Sequence, residues 1–556
     1  MTLRTGGQIL VDQLHIHGTS HVFCVPGESY LAVLDALHDS PIATIVCRQE
    51  GGAAFMAEAT GKMTGKPGIV MVTRGPGATN AAPGIHVASQ DSTPMILFVG
   101  QVARGMKERE AFQELDYKAV FGTMAKWVAE IDDPKRIPEL VSRAFHVATQ
   151  GRPGPVVIAL PEDMLTETAE VKDGVAFTPV LTYPGAAPMA ELQRRLLGAE
   201  RPIVLAGGSG WSEQGVADLV RFAENFDLPV SVTFRRQMLF PADHKNFAGD
   251  FGIGPNPQLL ARVKHADLVL LIGGRMSEMP SQGYTLFDIP GDGEKLIHIH
   301  PGAEELNRVY RTGLGILATP SAFAAAAAAL PKPTFVKWSG SAKTAHAEYL
   351  SWSDPEPIHT AGAVQMPGVM AHLISVMPAD TIYCNGAGNY ATWVHRFWPF
   401  RAFASQLAPT SGSMGYGLPA AVAAKALNPE RAVMAFAGDG CFLMNGQEFA
   451  TAVQYELPII AVVVDNGMYG TIRMHQEREY PGRVSATSLR NPDFAALARA
   501  YGGHGETVRK TEEFAGALER ARDSGMPSII HCRIDPEAIT PSRSLSDIRA
   551  AGLAAK

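Results

Sequence analysis

The stretch RAVMAFAGDG (431–440) is an apolar run that ends in Gly-Asp-Gly, and LPIIAVVVDN (457–466) is a second apolar run that ends in Asp-Asn. Short apolar runs closed by Gly or Asp and followed by helix-like segments are typical of parallel strands covered by helices on both faces. The carboxyl ends of neighbouring parallel strands meet at one edge of a sheet, where open α/β sheets bind ligands. We therefore expect Asp439 and Asn466 to lie at such an edge.

The same rhythm recurs along the whole chain and predicts an α/β fold of doubly wound, mainly parallel sheets. Further predicted strands are Ala43–Cys47, Ile69–Thr73, Met95–Gly100, Val156–Leu160, Pro202–Ala206, Leu268–Ile272 and Thr381–Cys384. Pro-rich segments at 179–188 and 331–334 read as linkers, and they bracket a middle domain of about 190–330. The alanine run Ala324–Ala329 reads as a helix within it.

Composition excludes several classes of protein. A length of 556 residues suggests about three domains, and 46% hydrophobic with 19% charged residues is an ordinary globular composition rather than a disordered or fibrous one. The formal charge of -7 and the lack of a long Lys/Arg run argue against binding to nucleic acid or a membrane surface. A small-molecule ligand is the remaining expectation.

The cysteines and the apolar segments point to the cytoplasm. The five cysteines are scattered without a C-x-x-C pair, so neither a disulfide framework nor a zinc site is indicated. The first residues, MTLRTGGQILVDQLHIHG, do not read as a signal peptide. The most apolar stretches are far shorter than the ~20 residues that cross a bilayer.

The Gly-Asp-Gly and Asp-Asn pair carries the clearest chemistry. Asp439 and Asn466 offer two hard oxygen ligands, and the Met468 carbonyl offers a third. Mg²⁺ prefers octahedral oxygen coordination and usually keeps phosphates and water in its shell. Gly440 and the amides that open the next helix suit close approach to a phosphate. The structural alternative is a helix-entry turn capped by Asp439 and a plain turn at Asp465.

These motifs, together with three further segments, resemble those of a known enzyme family. Gly-Asp-Gly at 438–440, followed by 24 residues and Asp465-Asn466, resembles the signature of thiamine-diphosphate-dependent enzymes. The segments CRQEGGAAFMAE (47–58), TRGPGATN (73–80) and TSGSMGYGLP (410–419) look like the acetohydroxyacid synthase and pyruvate oxidase branch. The resemblance covers nearly the full length. It implies a pyrimidine-binding domain at 1–170, a central Rossmann-like domain at 190–330, and a diphosphate- and Mg²⁺-binding domain at 360–535.

The resemblance implies a role for Glu50 in the pyrimidine-binding domain. Its carboxyl group would hydrogen-bond N1′ of the aminopyrimidine and favour the tautomer that deprotonates the thiazolium C2. Pro76 and Asn80 are expected to line the cofactor. A partly buried, protonated carboxyl group serves this role best, and the preceding strand predicts a buried edge for Glu50. The alternative is a first-turn glutamate that favours the helix dipole.

The remaining cofactor contacts are implied by the same resemblance. Met414 would hold the cofactor bent between its rings, and the Gly412 carbonyl would accept from the 4′-amino group; the alternative for Met414 is a core filler. The segment Gly386-Ala387-Gly388-Asn389-Tyr390 would hold the diphosphate through backbone amides and the Asn389 side chain, although its glycine pattern alone also fits a dinucleotide fold. The other expected cofactor contacts are Gly438, Asp439, Gly440, Cys441, Asn466 and Met468.

Departures from the family concern the substrates and the flavin. Met279 and His475 occupy the places of an arginine that holds the second keto acid's carboxylate and a tryptophan that shapes its pocket. His300 and Thr319 stand where acidic groups contact FAD, whereas Arg152 and Arg275 remain compatible with it, so FAD is left open.

Additional proton-transfer and pocket residues are expected near the substrate. Glu28, in VPGES (25–29), replaces a glycine-rich turn and is a candidate acid-base group; the alternative is an exposed carboxylate at a helix N-terminus. His475 is a further proton donor, while His86 is more simply a packed histidine. Phe112 and Gln113 are expected to line the pocket.

The resemblance as a whole implies a thiamine-diphosphate- and Mg²⁺-dependent enzyme that cleaves a 2-keto acid and transfers the acyl group to an acceptor, as in acetolactate synthesis. The alternatives are a non-oxidative decarboxylase or 2-hydroxyacyl lyase, a flavin-dependent oxidase, and a non-catalytic regulatory homologue. The intact Glu50, Asp439 and Asn466 argue against the last of these. We expect a homodimer or homotetramer.

Overall fold

The computed structural model describes residues 2–291 and 293–556. They form two compact units. One comprises the described residues of 1–180 with Pro409–Glu430 and Phe442–Ile459, and the other comprises those of 181–408 with Arg431–Cys441 and Ile460–Lys556. Among the described residues, none of the helices is both long and apolar enough to cross a membrane. All five cysteines lie within the described residues; they are buried, and none of them forms a disulfide.

The N-terminal part contains one large parallel sheet. Its strands and a small antiparallel pair are β1 (Leu3–Thr5), β2 (His21–Cys24), β3 (Ala43–Val46), β4 (Gly68–Val72), β5 (Met95–Gln101), β6 (Trp127–Glu130), β7 (Pro155–Pro161) and β8 (Thr168–Glu170). Its helices are α1 (Gly6–Ile16), α2 (Leu31–His38), α3 (Glu50–Thr64), α4 (Pro76–Asp91), α5 (Tyr117–Phe121), α6 (Ile137–Thr149) and α7 (Glu162–Thr166), with 3-10 turns at Glu28–Tyr30, Arg104–Met106 and Pro134–Arg136.

This N-terminal sheet has six strands in the order β3-β2-β4-β5-β7-β6, and every pairing is parallel. Strands β4, β5 and β7 are buried along their whole length, which is why their sequences are continuous apolar runs. The loops after β3, β2 and β4 lead to Glu50, Glu28 and Pro76. These residues therefore follow the carboxyl ends of three neighbouring strands.

The central part holds a second parallel sheet, in the order β11-β10-β9-β12-β13-β14. The strands are β9 (Pro202–Ala206), β10 (Val230–Thr233), β11 (Phe247–Phe251), β12 (Leu268–Ile272), β13 (Leu296–His300) and β14 (Leu314–Leu317). The helices are α8 (Ala186–Gly198), α9 (Glu213–Phe226), α10 (Pro257–His265) and α11 (Pro320–Ala328), with 3-10 turns at Gln237–Leu239 and Ala303–Glu305. The apolar faces of α8, α9 and α11 cover one side of this sheet.

The C-terminal part builds the third parallel sheet. Its strands are β15 (Ile382–Asn385), β16 (Gln406–Leu407), β17 (Val433–Gly438), β18 (Ile460–Asp465), β19 (His504–Val508) and β20 (Ser528–Arg533). The helices are α12 (Ser341–Ser353), α13 (Met366–Val376), α14 (Ala391–Phe397), α15 (Gly417–Leu427), α16 (Asp439–Phe442), α17 (Glu448–Gln454), α18 (Gly470–Glu479), α19 (Phe494–Ala500), α20 (Glu513–Asp523) and α21 (Leu545–Ala554).

The C-terminal strands run in the order β16-β15-β17-β18-β20-β19, again with parallel pairings throughout. Neighbours β15, β17 and β18 end at Asn385, Gly438 and Asp465, so the loops that follow them leave the same edge of the sheet. With the two preceding sheets, this confirms the predicted class of three parallel-sheet α/β domains.

Candidate active site

The predicted metal ligands follow adjacent strands at one sheet edge. Gly438 ends β17 and pairs with Val464 in β18, one residue before Asp465. Asp439 opens α16, and Asn466 begins the turn after β18. The fold thus brings together the two motifs from which the sequence predicted a magnesium site.

Asp439 is a buried carboxylate without a cationic partner. Its side chain accepts a 2.6 Å hydrogen bond from the Asn491 amide, and the residue is 3% exposed. Burial raises the pKa of Asp439 to about 6. Among the described residues, no Lys, Arg or His forms an ion pair with it. A buried carboxylate in these surroundings fits a bound divalent cation, because the positive charge would favour its ionised form.

Asp465 differs from Asp439 although the same amide contacts both. It accepts hydrogen bonds from Asn491 (2.8 Å), His531 Nε2 (2.8 Å) and the Gly467 amide (3.0 Å). Burial opposes ionisation, but these donors outweigh it and lower the pKa of Asp465 to about 2. The negative charge of this pair of acids is therefore held on Asp465.

The turn with Asn466 and Met468 is fixed by the segment 487–491. Asn466 Oδ1 accepts from the Met468 amide (3.3 Å), and Gly467 has a positive φ of 69°. The Leu489 amide donates to the Gly467 carbonyl at 2.8 Å. Asn491, at the end of this segment, reaches Asp439. The sequence analysis did not single out Asn491, since only a helix-start pattern marks that region.

Close packing explains the two glycines of Gly-Asp-Gly. A Cβ atom on Gly438 would lie 2.9 Å from Tyr390 Cδ1, and one on Gly440 would lie 2.5 Å from Tyr469 Cε1. Both distances are too short for a side chain. The glycines therefore let two aromatic rings approach the start of α16.

The segment 386–390 contacts helices α16 and α18, which both begin at this edge of the sheet. The Tyr390 hydroxyl accepts from the Gly386 amide (3.1 Å) and contacts the Cys441 thiol (3.1 Å). Asn389 Oδ1 accepts from the Thr471 hydroxyl (2.9 Å), while Asn389 Nδ2 donates to the Met474 sulfur (3.4 Å). A sulfur is a weak acceptor, so this amide nitrogen is well suited to a diphosphate oxygen. Ala387 and Gly388 complete the loop, and the Gly386 amide is already used by Tyr390.

Glu50 is the first residue of α3, next to α4. Its Oε2 accepts from Asn80 Nδ2 at 3.0 Å, and Asn80 lies one turn after Pro76 at the start of α4. Glu50 is half-buried rather than fully enclosed within this chain. Its place in the first turn of α3 is also the one that the helix-dipole alternative predicted. The contact with Asn80 is the feature that the alternative does not require.

Glu448 is a site residue that the sequence analysis missed. It is 0% exposed at the start of α17, and it accepts from the backbone amides of Arg48 (3.1 Å) and Gln49 (2.9 Å). The Thr451 hydroxyl donates to it at 2.7 Å. Burial raises the pKa of this carboxyl group. Glu448 therefore holds the backbone immediately before Glu50, and an acidic residue opening the apolar segment EFATAV was the available signal.

The segment with Gly412 and Met414 is anchored at both ends to α3 and α4. The Thr410 hydroxyl donates to Asp91 (2.6 Å), and the Tyr416 hydroxyl donates to Glu58 (2.5 Å). Lys62 pairs with both buried acids, at 3.1 Å from Glu58 and 2.5 Å from Asp91. Met414 itself is only half-buried, so it is not a core filler in this chain.

The predicted acid-base residues lie in different surroundings. Glu28 is 65% exposed and pairs at 2.9 Å with the buried Arg74, which also pairs with Glu162. His475 is exposed on α18, and its Nδ1 accepts from Arg478 at 2.7 Å. Burial and the Arg478 charge lower the pKa of His475, which weakens it as a proton donor at neutral pH.

The expected pocket residues Phe112 and Gln113 lie in the loop before α5. Phe112 is 72% exposed. Gln113 has a positive φ of 64°, and its carbonyl lies 2.8 Å from the position of a Cβ on Gly75. Arg473, two residues before His475, is engaged by Glu477 at 2.8 Å and therefore is not available to hold a substrate carboxylate.

The two central-domain positions that the sequence analysis connected with FAD are His300 and Thr319, and both side chains form hydrogen bonds within the protein. His300 Nδ1 accepts from the Gly302 amide at 3.0 Å. The Thr319 hydroxyl accepts from the Thr182 amide at 3.1 Å. Met279 lies half-buried in the loop after β12. These contacts give His300 and Thr319 structural roles that need no ligand.

Comparison with known proteins identifies three family models along the chain. They are described as the N-terminal TPP binding domain, the central domain and the C-terminal TPP binding domain of thiamine pyrophosphate enzymes, and they match residues 4–120, 189–327 and 386–532. Thiamine pyrophosphate (TPP) is thiamine diphosphate under its other name.

Curated relatives match over nearly the full length. The acetolactate synthase large subunit of Corynebacterium glutamicum is 30% identical, covering 98% of this chain and 90% of the relative. A probable acetolactate synthase large subunit of Methanocaldococcus jannaschii is 30% identical over 96% and 93%, respectively. The acetolactate synthase isozyme 2 large subunit of Escherichia coli K12 is 29% identical over 95% of both chains.

Proposed function

This chain belongs to the thiamine pyrophosphate-dependent enzymes, and on that premise we propose that it cleaves a 2-keto acid with the aid of Mg²⁺ and transfers the acyl group to an acceptor. It is an acetolactate synthase-like enzyme. The observation that carries the proposal is the buried carboxylate of Asp439, which forms no ion pair with a cationic side chain among the described residues, beside the Asn466 turn at the carboxyl edge of the third sheet.

The residues of this edge fit the cofactor's diphosphate and its metal ion. We assign Mg²⁺ to Asp439, Asn466 and the Met468 carbonyl, a set with one carboxylate, one amide and one backbone oxygen. Such a set leaves coordination positions for diphosphate oxygens and water. The segment 386–390 and the amides of Gly440 and Cys441 at the start of α16 would contact the diphosphate.

The aminopyrimidine end is assigned to the N-terminal domain. Glu50 would hold a proton at the pyrimidine N1′ position, and Asn80 keeps its carboxyl group oriented through the 3.0 Å hydrogen bond. Met414 and the Gly412 carbonyl would contact the cofactor from a segment anchored on α3 and α4. When bound, thiamine diphosphate supplies the carbon that adds to the keto group and stores the electron pair left by cleavage.

A further part of the proposal concerns which molecule accepts the acyl group. Met279 cannot pair with a carboxylate, and a buried carboxylate without a charged partner is strongly disfavoured. We therefore propose that neutral acceptors such as aldehydes compete with a second 2-keto acid. Simple decarboxylation to an aldehyde remains the alternative reaction of the same site.

Product identification separates these reactions. Purified protein with thiamine diphosphate and Mg²⁺ would be incubated with a panel of 2-keto acids, with and without acetaldehyde, and the products identified by mass spectrometry. We expect hydroxyketone products of carboligation, formed with a neutral acceptor at least as readily as with pyruvate. Marked preference for a keto acid acceptor would contradict the role given to Met279, and free aldehyde alone would select the decarboxylase.

The same purified protein tests whether the enzyme binds and uses FAD. A flavin-dependent oxidase would show visible flavin absorbance after purification and would form acyl phosphate or acetate with consumption of oxygen. Because His300 and Thr319 are satisfied by backbone groups and supply no acid, we propose that the reaction does not use FAD. Stoichiometric flavin in the purified protein would overturn this part of the proposal.

A further inference from the structure

Gly386, the first residue of the loop assigned to the diphosphate, has both of its backbone polar groups engaged within the protein. Its amide donates to the Tyr390 hydroxyl at 3.1 Å, and its carbonyl accepts from the Asn385 side-chain amide at 2.8 Å. Gly386 is buried, whereas Ala387 and Gly388 are half-buried. The loop therefore turns its first residue into the protein before it reaches the surface.

The next two backbone amides of the loop have no such partners. Among the described residues, the N–H groups of Ala387 and Gly388 donate to no acceptor, while the Asn389 N–H donates to the Thr471 hydroxyl at 3.0 Å. A Cβ atom on Gly388 would lie 2.6 Å from Tyr390 Cε1, so only glycine fits there. Consecutive unpaired backbone amides suit an anionic oxygen.

The inward direction of the Gly386 carbonyl depends on Asn385, which ends β15 and is 1% exposed. A carbonyl can only accept, so Asn385 Nδ2 faces Gly386 and Oδ1 faces away from it. On that other side, Oδ1 lies 2.9 Å from His395 Nε2. An amide oxygen also can only accept, so this ring nitrogen carries a proton. Burial lowers the pKa of His395 to about 3, and the ring is therefore a neutral donor to Asn385.

The backbone of His395 is held from the central part of the chain. Gln237, in the 3-10 turn after β10, donates from Nε2 to the His395 carbonyl at 2.6 Å. Gln406 fixes the Gln237 side chain with a 2.8 Å hydrogen bond to its Oε1, and it accepts from the Gln237 amide at 2.7 Å. Both glutamines are buried. The histidine ring therefore approaches Asn385 from a fixed backbone.

We propose that His395 and Asn385 are positioning residues for the diphosphate of the cofactor. His395 holds the Asn385 side chain, and Asn385 holds the Gly386 carbonyl inward, which leaves the amides of Ala387 and Gly388 to the diphosphate oxygens. Without this restraint the carbonyl can turn outward, where its negative end would repel the diphosphate. The inference rests on the proposed function, because it takes from there the assignment of this loop.

Calorimetry on the full-length protein tests the proposal with two ligands. Thiamine diphosphate is titrated with Mg²⁺, and so is inorganic diphosphate, which carries only the group that the loop would contact. His395→Leu removes the donor to Asn385, and we expect both ligands to bind about tenfold more weakly, as for the loss of one charge-assisted hydrogen bond. His395→Gln offers an amide N–H in place of the ring N–H and should restore most of the affinity.

A histidine of the same compact unit provides the matched control. His346 on α12 is partly buried, and its Nδ1 lies 3.0 Å from the Phe247 carbonyl. His346→Leu removes this hydrogen bond without touching the loop, so both ligands should bind as they do to the wild type. An equal loss of affinity in His346→Leu would show that any lost buried histidine contact weakens binding, and it would overturn the proposal.

A double-variant cycle separates positioning from a general loss of stability. Asn385→Ala should weaken both ligands about tenfold. The double variant with His395→Leu should bind no more weakly than Asn385→Ala alone, because His395 acts only through Asn385. Wild-type affinity in Asn385→Ala, or additive losses in the double variant, would overturn the proposal. Failure of the wild type itself to bind thiamine diphosphate with Mg²⁺ would overturn the proposed function.

Discussion

Asn491 donates to two carboxylates at once, and its contacts explain why they ionise differently. Asp465 has the additional donors His531 and the Gly467 amide, whereas at Asp439 burial outweighs the hydrogen bonds from Asn491 and the Gly440 amide. Negative charge therefore stays on Asp465, and Asp439 gains most from an added cation. This asymmetry supports the proposed assignment of the metal ion to Asp439.

Replacing Asp439 should remove cofactor binding that depends on Mg²⁺. Asp439→Ala deletes the one carboxylate of the proposed ligand set, so the charge of the metal and the diphosphate is poorly balanced. We expect calorimetry to show no Mg²⁺-dependent binding of thiamine diphosphate. Asp523→Ala, an exposed change on α20, should leave binding intact. If Asp439→Ala binds thiamine diphosphate with wild-type affinity, Gly-Asp-Gly is only a turn and not part of a metal site.

Replacing Glu50 should remove turnover but not binding. Glutamine can hydrogen-bond a ring nitrogen and Asn80 but cannot transfer a proton to that ring nitrogen. Glu50→Gln is therefore expected to lower kcat by about 10²–10⁴-fold, the usual effect of a lost acid-base group. Exchange of the C2 proton of bound thiamine diphosphate against deuterium is the direct measurement. A wild-type exchange rate in this variant would show that the role belongs to another residue.

At the scale of the elements, α17 controls the loop that presents Glu50. Glu448 accepts two consecutive backbone amides there, those of Arg48 and Gln49, and a Cβ on Gly52 would lie 2.6 Å from its Oε1. An amide in place of this carboxylate would turn an NH₂ group toward at least one backbone N–H. The loop then has to shift or leave a donor unsatisfied.

The variant Glu448→Gln should therefore lose both stability and turnover. An unsatisfied buried donor costs about 1–3 kcal/mol, which would appear as a lower Tm. A shift of Glu50 should also lower kcat with little change in cofactor affinity. Glu456→Gln, an exposed change just after α17, is the control and should alter neither quantity. A lower Tm with wild-type kcat would leave Glu448 a purely structural residue.

The C-terminal helix α21 forms a buried ion pair with α18, in addition to its apolar contacts. Glu477 on α18 is 1% exposed and accepts from Arg549 at 2.8 Å, in addition to its pair with Arg473. The hydrogen bonds from Arg549 are the largest influence, and they lower the pKa of Glu477 to about 2. A depressed carboxyl pKa stabilises the folded state above its ordinary value, and this stabilisation is lost as the pH falls from about 4.5 toward 2.

We therefore expect α21 to open on acidification before the strands do. Amide hydrogen exchange of residues 545–554 should accelerate between pH 5 and pH 3, relative to the intrinsic chemical rate. In Glu477→Gln, residues 545–554 should exchange fast already at pH 7. In Glu479→Gln, an exposed change on α18, these residues should stay protected. Equal protection of α21 in both variants would contradict the role of Glu477.

Elements of this fold were predictable where local pattern decides them. The apolar run within 457–466 is observed as the strand Ile460–Asp465, and Leu268–Ile272 is observed unchanged, since continuous burial leaves a continuous apolar sequence. Contacts between distant segments leave no such pattern. Glu448 reaches a loop 400 positions earlier in the chain, and Asn491 reaches Asp439 from a separate turn. The degree of burial of Glu50, which the sequence predicted only as a buried edge, likewise depends on tertiary surroundings.

At the scale of the whole molecule, each of the two compact units combines segments that are separate in the sequence. Helices α15 and α17 lie between strands of the third sheet in the chain, yet they belong to the unit of the N-terminal sheet, where α15 packs against α3. The buried cluster of Glu58, Lys62, Asp91 and Tyr416 fixes this arrangement. A fragment ending at residue 180 would leave these acids without Tyr416 and Thr410, so tests of assembly require full-length chains.

Full-length chains with complementary lesions test a shared active site. The resemblance to the family implies that Glu50 of one subunit and Asp439 of the other would serve the same cofactor. Mixed Glu50→Gln and Asp439→Ala subunits would then form dimers with one doubly altered site and one intact site. Random exchange makes half of the dimers mixed, each with half of its sites intact, so about a quarter of wild-type activity should return. Each variant alone is the control, and native mass spectrometry verifies exchange. Continued inactivity after exchange would mean that each subunit builds its own site, because only then does no combination of these chains restore an intact set of residues.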